Sequence, residues 1–290
     1  MGDARGPGDA RMSVVATLDH VVVNTRDNLV GAAELWQRLG FALTPMGRHT
    51  LGSANHLAMF GTDYLELIGA PAARTDLPPM QWPAGLNALV FGTEDAARTY
   101  VSMQAAGVPA DPPLDFSRPV EAAGGAAGGA AASFRTVNLQ PGLAQSGRIY
   151  FCEHRTRALV WRDEWRVHPN GVVGIESATI VARDPRGMGD LFADLFGPDA
   201  VGGIPGGLRL ACALTRIEVI ERVTFERQWG QSAFPDMERP EAMAALTFRT
   251  MSRTKVRAAL RSGGVMAREE SGRIVVDAAD AGGVALAFVE

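Results

Sequence analysis

Leu18–Asn24 reads LDHVVVN, a short β-branched run with one histidine near its start, and the stretch that follows, Leu29–Leu39, closes on Gly40. A run rich in valine favours a strand. Leu29, Ala33, Trp36 and Leu39 recur at helical spacing, and Gly40 stands where a helix end wants left-handed backbone. Phe41–Pro45, Asn55–Phe60 and Tyr64–Ile68 then read as three short strands separated by glycine-bearing turns. The order is strand, helix, strand, strand, strand.

That order recurs. Leu86–Phe91, a helix over Glu94–Ala106 closed by Gly107, and strands at Phe134–Leu139 and Arg148–Cys152 make a second copy. Ile175–Val181, Met188–Phe196 closed by Gly197, Leu208–Leu214 and Ile217–Ile220 make a third. Ala245–Arg249, Arg253–Leu260 closed by Gly263–Gly264, Arg273–Asp277 and Val284–Val289 make a fourth. A repeat of this length is a module, not a short solenoid unit. One such sheet cannot bury both faces, so the modules are expected to pair. The fold class is therefore α+β, with an expected leader over 1–13, an N-terminal domain over 14–171 and a C-terminal domain over 172–290.

Composition narrows the function. A net charge of −4 without a dense basic run argues against a nucleic-acid binder. Two cysteines, Cys152 and Cys212, suggest no disulfide framework and fit a reducing cytoplasm. No stretch has the length and purity of a membrane span. Met1–Met12 carries no apolar signal core, and Glu121–Ala132 (EAAGGAAGGAAA) reads as a flexible loop. All five histidines, His20, His49, His56, His154 and His168, lie in the first two modules. Histidine suits proton exchange and borderline metals near neutral pH, so any such centre is expected there.

The His-bearing first strand, the helix ending LGF at Leu39–Phe41 and the segment YLELIG at Tyr64–Gly69 resemble the vicinal oxygen chelate superfamily. Within it, Leu18 to about Gly171 is similar to glyoxalase-like domain proteins, through GRHTLGSANHLAMFGTDYLELIG, YFCEH, LVWRDEW and HPNG. The resemblance implies four βαβββ modules paired into two domains with curved mixed sheets. Each pair would surround a small-molecule cleft, often with one divalent metal.

In the family pattern the first-module ligands are a histidine on the first strand and a glutamate on the last, which match His20 and Glu66. Alternation puts His20 on one face with Leu18 and Val22, and Glu66 with Tyr64 and Ile68. A carboxylate on so apolar a face needs a cation or strong donors, an arginine being the plain alternative to a metal. In the second module, alignment sets Ala88 against His20 and Cys152 against Glu66. His154 shares the face of Cys152, while Glu153 points the other way. His20, Glu66 and His154 are thus the expected metal triad, suited to Zn, Fe, Mn or Ni.

His56 is an expected proton carrier beside Glu66, and His49 an expected substrate contact closing over the cleft. Arg118, Arg135 and Arg148 are expected substrate contacts for a carboxylate or enolate. His168 fits a linker turn marked by Asn170–Gly171. Trp161 and Trp165 share a face if their stretch is helical, clamping the linker to the core or walling the cleft. Ser177 and Glu218 occupy the third module's His20 and Glu66 positions, so the C-terminal half is expected to bind no transition metal.

The leading expectation is a metal-dependent glyoxalase-like enzyme: a lyase, isomerase or dioxygenase. Its metal would chelate neighbouring oxygens of a small substrate while Glu66 or His56 moves a proton on carbon. The alternatives are a metal-free binding protein of the antibiotic-sequestering kind, related to bleomycin resistance, and a scaffold for a homodimer.

Overall fold

The computed structural model of the chain describes residues 16–120, 129–230 and 241–290. The expected leader and the 121–128 part of the Gly/Ala-rich loop lie outside the described residues.

The first half runs β1 (Leu18–Arg26), α1 (Leu29–Arg38), β2 (Gly47–Arg48), β3 (Ala54–Met59), β4 (Tyr64–Gly69), α2 (Pro78–Gln81), β5 (Gly85–Gly92), α3 (Ala96–Ala105), β6 (Leu114–Pro119), β7 (Ala131–Asn138) and β8 (Arg148–His154). The second runs β9 (Val172–Ala182), α4 (Pro185–Phe196), β10 (Val201–Ile204), β11 (Gly207–Cys212), β12 (Thr215–Ile220), α5 (Arg222–Trp229), β13 (Glu241–Thr250), α6 (Arg253–Ser262), β14 (Arg268–Glu270), β15 (Arg273–Val276) and β16 (Ala285–Val289). Each half forms one eight-stranded sheet, β2-β3-β4-β1-β5-β8-β7-β6 and β10-β11-β12-β9-β13-β16-β15-β14. The same mixed topology therefore occurs twice, as two similarly built domains of paired modules.

β1 lies between β4, to which it is parallel, and β5, to which it is antiparallel. Central placement buries both faces and explains the uninterrupted valines. On the helix side, Val21 and Val23 join Trp36 of α1 in a core that both halves share. Phe41 packs 5.1 Å from Phe248, and Phe91 packs 4.7 Å from Phe196, ring centre to ring centre. On the other side, the edges of the N-terminal sheet meet: Thr50 N–H donates to Ser117 O at 2.9 Å, nearly closing a barrel around a cleft. Gly40, at φ +88°, must be glycine: a Cβ there would lie 2.6 Å from the Ala259 methyl and 2.9 Å from the Asn170 side chain.

Phe41–Pro45 is not a strand. Only Thr44 pairs with β3, its N–H donating to Leu57 O, and Pro45 lacks the N–H to continue. VWRDEW forms no single helix either. Trp161 follows one 3-10 turn, Arg157–Leu159, and Trp165 ends another, Asp163–Trp165. Of the Gly/Ala-rich loop, Ala131 and Ala132 belong to β7. α5 was not expected. Among the described residues, no helix is long and apolar enough to cross a membrane.

Candidate active site

β1 turns His20 and Val22 toward the cleft. A bulge between Leu18 and His20, where β1 pairs with β5, breaks the alternation and brings the Asp19 carboxylate beside His20. Asp19 Oδ2 accepts from His20 Nδ1 at 2.7 Å and from His154 Nε2 at 2.9 Å. Burial opposes the charge on Asp19, but the hydrogen bonds from His154 and His20 outweigh it and hold the carboxyl far below its usual range. An ionised carboxylate only accepts, so His20 Nδ1 carries a proton, and in the neutral ring Nε2 is a bare lone pair.

That lone pair faces two groups. Glu66 Oε2 lies 3.7 Å away and the Tyr150 hydroxyl 3.4 Å away. The Tyr64 ring stacks on the imidazole at 4.3 Å, fixing its plane. Burial pushes both tyrosine hydroxyls well above their ordinary range, so they remain donors.

Glu66 stands opposite Leu57 of β3 and Val22 of β1. Its Oε1 accepts from Asn55 Nδ2 at 2.6 Å, and His49 Nε2 lies 3.9 Å from the same oxygen. Asn55 Nδ2 is also 3.2 Å from His49 Nε2, so that nitrogen accepts, and His49 Nδ1 donates to Ser53 Oγ at 2.8 Å. Burial lowers the pKa of His49, favouring this neutral form. Among the described residues no arginine comes within ion-pair distance of Glu66.

The second module answers differently from the first. Glu66 pairs with Val22, two residues beyond His20; Tyr150 pairs with Val90, two residues beyond Ala88. Register therefore sets Tyr150, not Cys152, in the place of Glu66, and corrects the alignment made from sequence. Cys152 and His154 continue along the cleft side of β8, whereas Glu153 points away and accepts from Ala96 N–H at the start of α3. Asp19, Cys152 and His154 each place one ligand atom within 4.8 Å of the others, a candidate metal-binding triad. Burial raises the Cys152 thiol well above its normal range.

His154 is buried on the expected face, and Trp161 packs 4.8 Å from its ring. Its Nε2 turns to Asp19, on the side of the His20 ring away from Glu66. His20, Glu66 and His154 are thus brought into one network but not to one point. Two other expectations meet corrections. His56 pairs with Leu67 on the helix side, with Nδ1 on Thr44 O at 2.8 Å, because Asn55 and Leu57 take the cleft parity in β3. Arg135 also points out of the cleft, 3.6 Å from Asp115, since Phe134 and Thr136 point in. His168 is a staple: Nδ1 accepts from Ala42 N–H and Nε2 donates to Met59 O.

Arg118, Arg148, His49, His20 and Glu66 all line the cleft, which encloses about 160 Å³ between mostly apolar walls. Arg148 lies over the Tyr150 ring at 5.3 Å. Asp19, Asn55 and Tyr150 are the contributors that sequence reasoning missed.

In the C-terminal sheet the corresponding face is only partly covered, and a pocket of about 260 Å³ remains on it, lined by Ser177, Thr179, Glu218, Trp229 and Arg273. Phe225 and Trp229 of α5, stacked 5.7 Å apart, pack on Val181, Ala245 and Ala285. Ser177 and Glu218 do occupy the His20 and Glu66 register positions. Glu218 is bound by Arg209 at 3.1 Å.

The family model of the glyoxalase-like domain matches residues 18–196. The chain belongs to that family. The match spans the whole N-terminal sheet and runs on through α4. No curated protein matches the sequence. Among solved structures, a hypothetical protein from Staphylococcus aureus superposes with a TM-score of 0.63 at 11% identity, covering 95% of this chain and 99% of that one. A variant of 4-hydroxymandelate synthase from Streptomyces coelicolor gives 0.54 at 13% identity, covering 94% and 92%. A fusion of a xylose isomerase-like TIM barrel with 4-hydroxyphenylpyruvate dioxygenase gives 0.55 at 13%, covering 95% of this chain and 48% of that one. These likenesses show the vicinal-oxygen-chelate fold.

Proposed function

We propose that the N-terminal cleft is the active site of a metal-dependent glyoxalase-like enzyme acting on a small oxygen-bearing substrate. The observation that carries this reading is the orientation of His20. Its Nδ1–H is held by the buried Asp19 carboxylate, the arrangement that fixes a metal-binding imidazole, and its Nε2 is aimed at Glu66 Oε2. The donors are of the right kind, one imidazole nitrogen and one carboxylate oxygen with a phenol beside them. His20 and Glu66 would hold the ion, with His154 acting on it through Asp19. A divalent ion there would polarise neighbouring substrate oxygens.

The chain's own groups divide the remaining work. Asn55 holds Glu66 Oε1, so Oε2 is the oxygen left for the ion, and Glu66 would take a proton from substrate carbon only on releasing it. Tyr150, kept protonated by burial, donates to the oxygen that gains charge. His49, neutral and lining the wall, is a contact for the substrate rather than a fixed charge. The nearly closed sheet keeps bulk water from these groups. The names of the structural neighbours, a synthase and a dioxygenase, agree with oxygen chemistry on this fold.

A metal-free binding protein is the second reading. It is favoured by the degree to which the polar cluster satisfies itself: Asp19 takes two histidine donors and Glu66 takes Asn55.

Elemental analysis of the full chain after exposure to Zn, Mn, Fe or Ni separates the two. Near-stoichiometric metal, lost in Glu66→Gln and kept in Cys152→Ser, is the expected result. Loss in Cys152→Ser with retention in Glu66→Gln would move the ion to the Asp19–Cys152–His154 triad. No metal in the parent would leave the binding protein.

A further inference from the structure

Arg118 and Arg148 are the charged groups in the cleft that the reading above leaves without work. Of the two, Arg118 is the one without a partner for most of its donors. It sits on edge strand β6 and is only 3% exposed, yet Nε and Nη2 have no hydrogen-bond partner among the described residues. The guanidinium lies over Gly47, in space that any larger residue would fill: a Cβ there would stand 2.8 Å from Arg118 Nη1 and 3.0 Å from Cδ. Asn55 Oδ1, also buried and unpartnered, adjoins the same glycine. Burial draws the pKa of Arg118 down, with Tyr64 and Glu66 only partly opposing it from a distance. A buried charge without a partner is costly, and a fixed fork of donors facing a cleft is what a carboxylate matches in two parallel bonds.

We infer that Arg118 is the anion-recognition residue of this cleft, and that the ligand is a monocarboxylate whose apolar body is about the size of one ring. This rests on the cleft being the substrate site. The size follows from the enclosed volume of about 160 Å³, close to that of a dry cavity that accepts benzene. The apolar body follows from the wall beside Arg118, where Phe116, two residues earlier on β6, stacks on Phe134 of β7 at 5.1 Å. The sign follows from the charges: Arg118 and Arg148 line the cleft against the single carboxylate of Glu66. Arg118 holds one end of the ligand and leaves the other to His20, Glu66 and Tyr150.

The test is calorimetric binding of phenylacetate, benzoate and hexanoate, each against its neutral amide, to the full chain with and without chelator. Each acid that binds is expected to bind about ten- to a hundredfold more tightly than its amide, the range for one charge-assisted contact. Arg118→Gln should remove the preference while near-ultraviolet circular dichroism stays unchanged. Gly47→Ala, which keeps the charge but displaces the guanidinium, should weaken it. Preference retained by chelator-treated protein upholds the anion site even if the metal reading fails. If no acid outbinds its amide, including the case where neither binds, the inference is wrong. It is equally wrong if the preference survives Arg118→Gln or depends on metal alone.

Discussion

Asp63 sits in the turn between β3 and β4, 1% exposed, and its Oδ1 accepts from the N–H of Ile175 in β9 at 3.0 Å. Thr62 Oγ1 donates to Oδ2 at 3.1 Å. Burial outweighs both donors and lifts the carboxyl from the ordinary 3.8 to about 6. Above pH 6 the folded chain therefore carries a buried charge that the unfolded chain carries in water. A difference of about two pH units corresponds to roughly 3 kcal/mol at most, and water penetration would leave about 1–2 kcal/mol. As pH falls through 6 toward 4, the folded state takes up a proton before the unfolded state does, so this contribution raises stability with acidity.

Asp63→Asn keeps an oxygen for Ile175 N–H and removes the charge. Urea unfolding should show the variant more stable than the parent by about 1–2 kcal/mol at pH 8, with the gap roughly halved at pH 5 and nearly closed at about pH 3.5. A variant that is less stable at pH 8 would refute the reasoning, as would a gap that does not change with pH. Either result would mean the charge is compensated in the folded state, with Arg249 the nearest cationic candidate.

Asp19→Asn should cost about 2–4 kcal/mol at pH 7, because two buried histidine donors lose a charged acceptor. Its pKa shift runs opposite to that of Asp63, so this stabilisation is present above about pH 4 and is lost below it, measurable as convergence of parent and variant in acid unfolding. Trp229→Ala, which removes the largest side chain packed on the C-terminal sheet, should cost about 3–5 kcal/mol in urea unfolding while metal content and carboxylate binding stay at parent values. Altered metal or ligand binding in that variant would show the C-terminal cleft to be part of the site.

Period and glycine placement made the doubled topology readable, because α1, α3, α4 and α6 each run out at a glycine and the strands recur in the same order around them. The shared face of His20 and Glu66 was readable from alternation. Asp19 was not, because alternation assigns it to the far face and only the bulge beside His20 turns it round. Asn55 and His56 are a question of parity. The hairpin closed by Phe60 N–H on Asp63 O sets Leu57 opposite Glu66, which turns Asn55 inward and His56 outward. Counting back from that turn would have found Asn55. Tyr150 needed the β5–β8 register, which a sequence match at YFCEH misplaces by two residues. Phe225 and Trp229 stand at i, i+4 on α5, a spacing that gives no hint that the helix packs on the cleft side of the C-terminal sheet.

The two sheets began from the same plan, and their difference lies in what covers the face opposite the shared core. In the C-terminal half α5 covers part of it with aromatic side chains, and Glu218, in the pocket that remains, is paired with Arg209 and Arg216. A carboxylate so paired has no call on a cation. The second half instead steadies the hairpin that presents Asn55 and Glu66. Ile175 N–H holds Asp63, and Gly61 N–H reaches Val173 O at 3.3 Å. His168, in the connection between the halves, ties Met59 and Ala42 together. These contacts grip both ends of the β3–β4 turn on the helix side, away from the cleft. The hairpin's cleft side can therefore carry a buried glutamate and an unpartnered Asn55 oxygen without collapsing inward. The C-terminal half thus braces the hairpin of the N-terminal cleft, which is why Trp229→Ala should unfold the protein before it changes binding in that cleft.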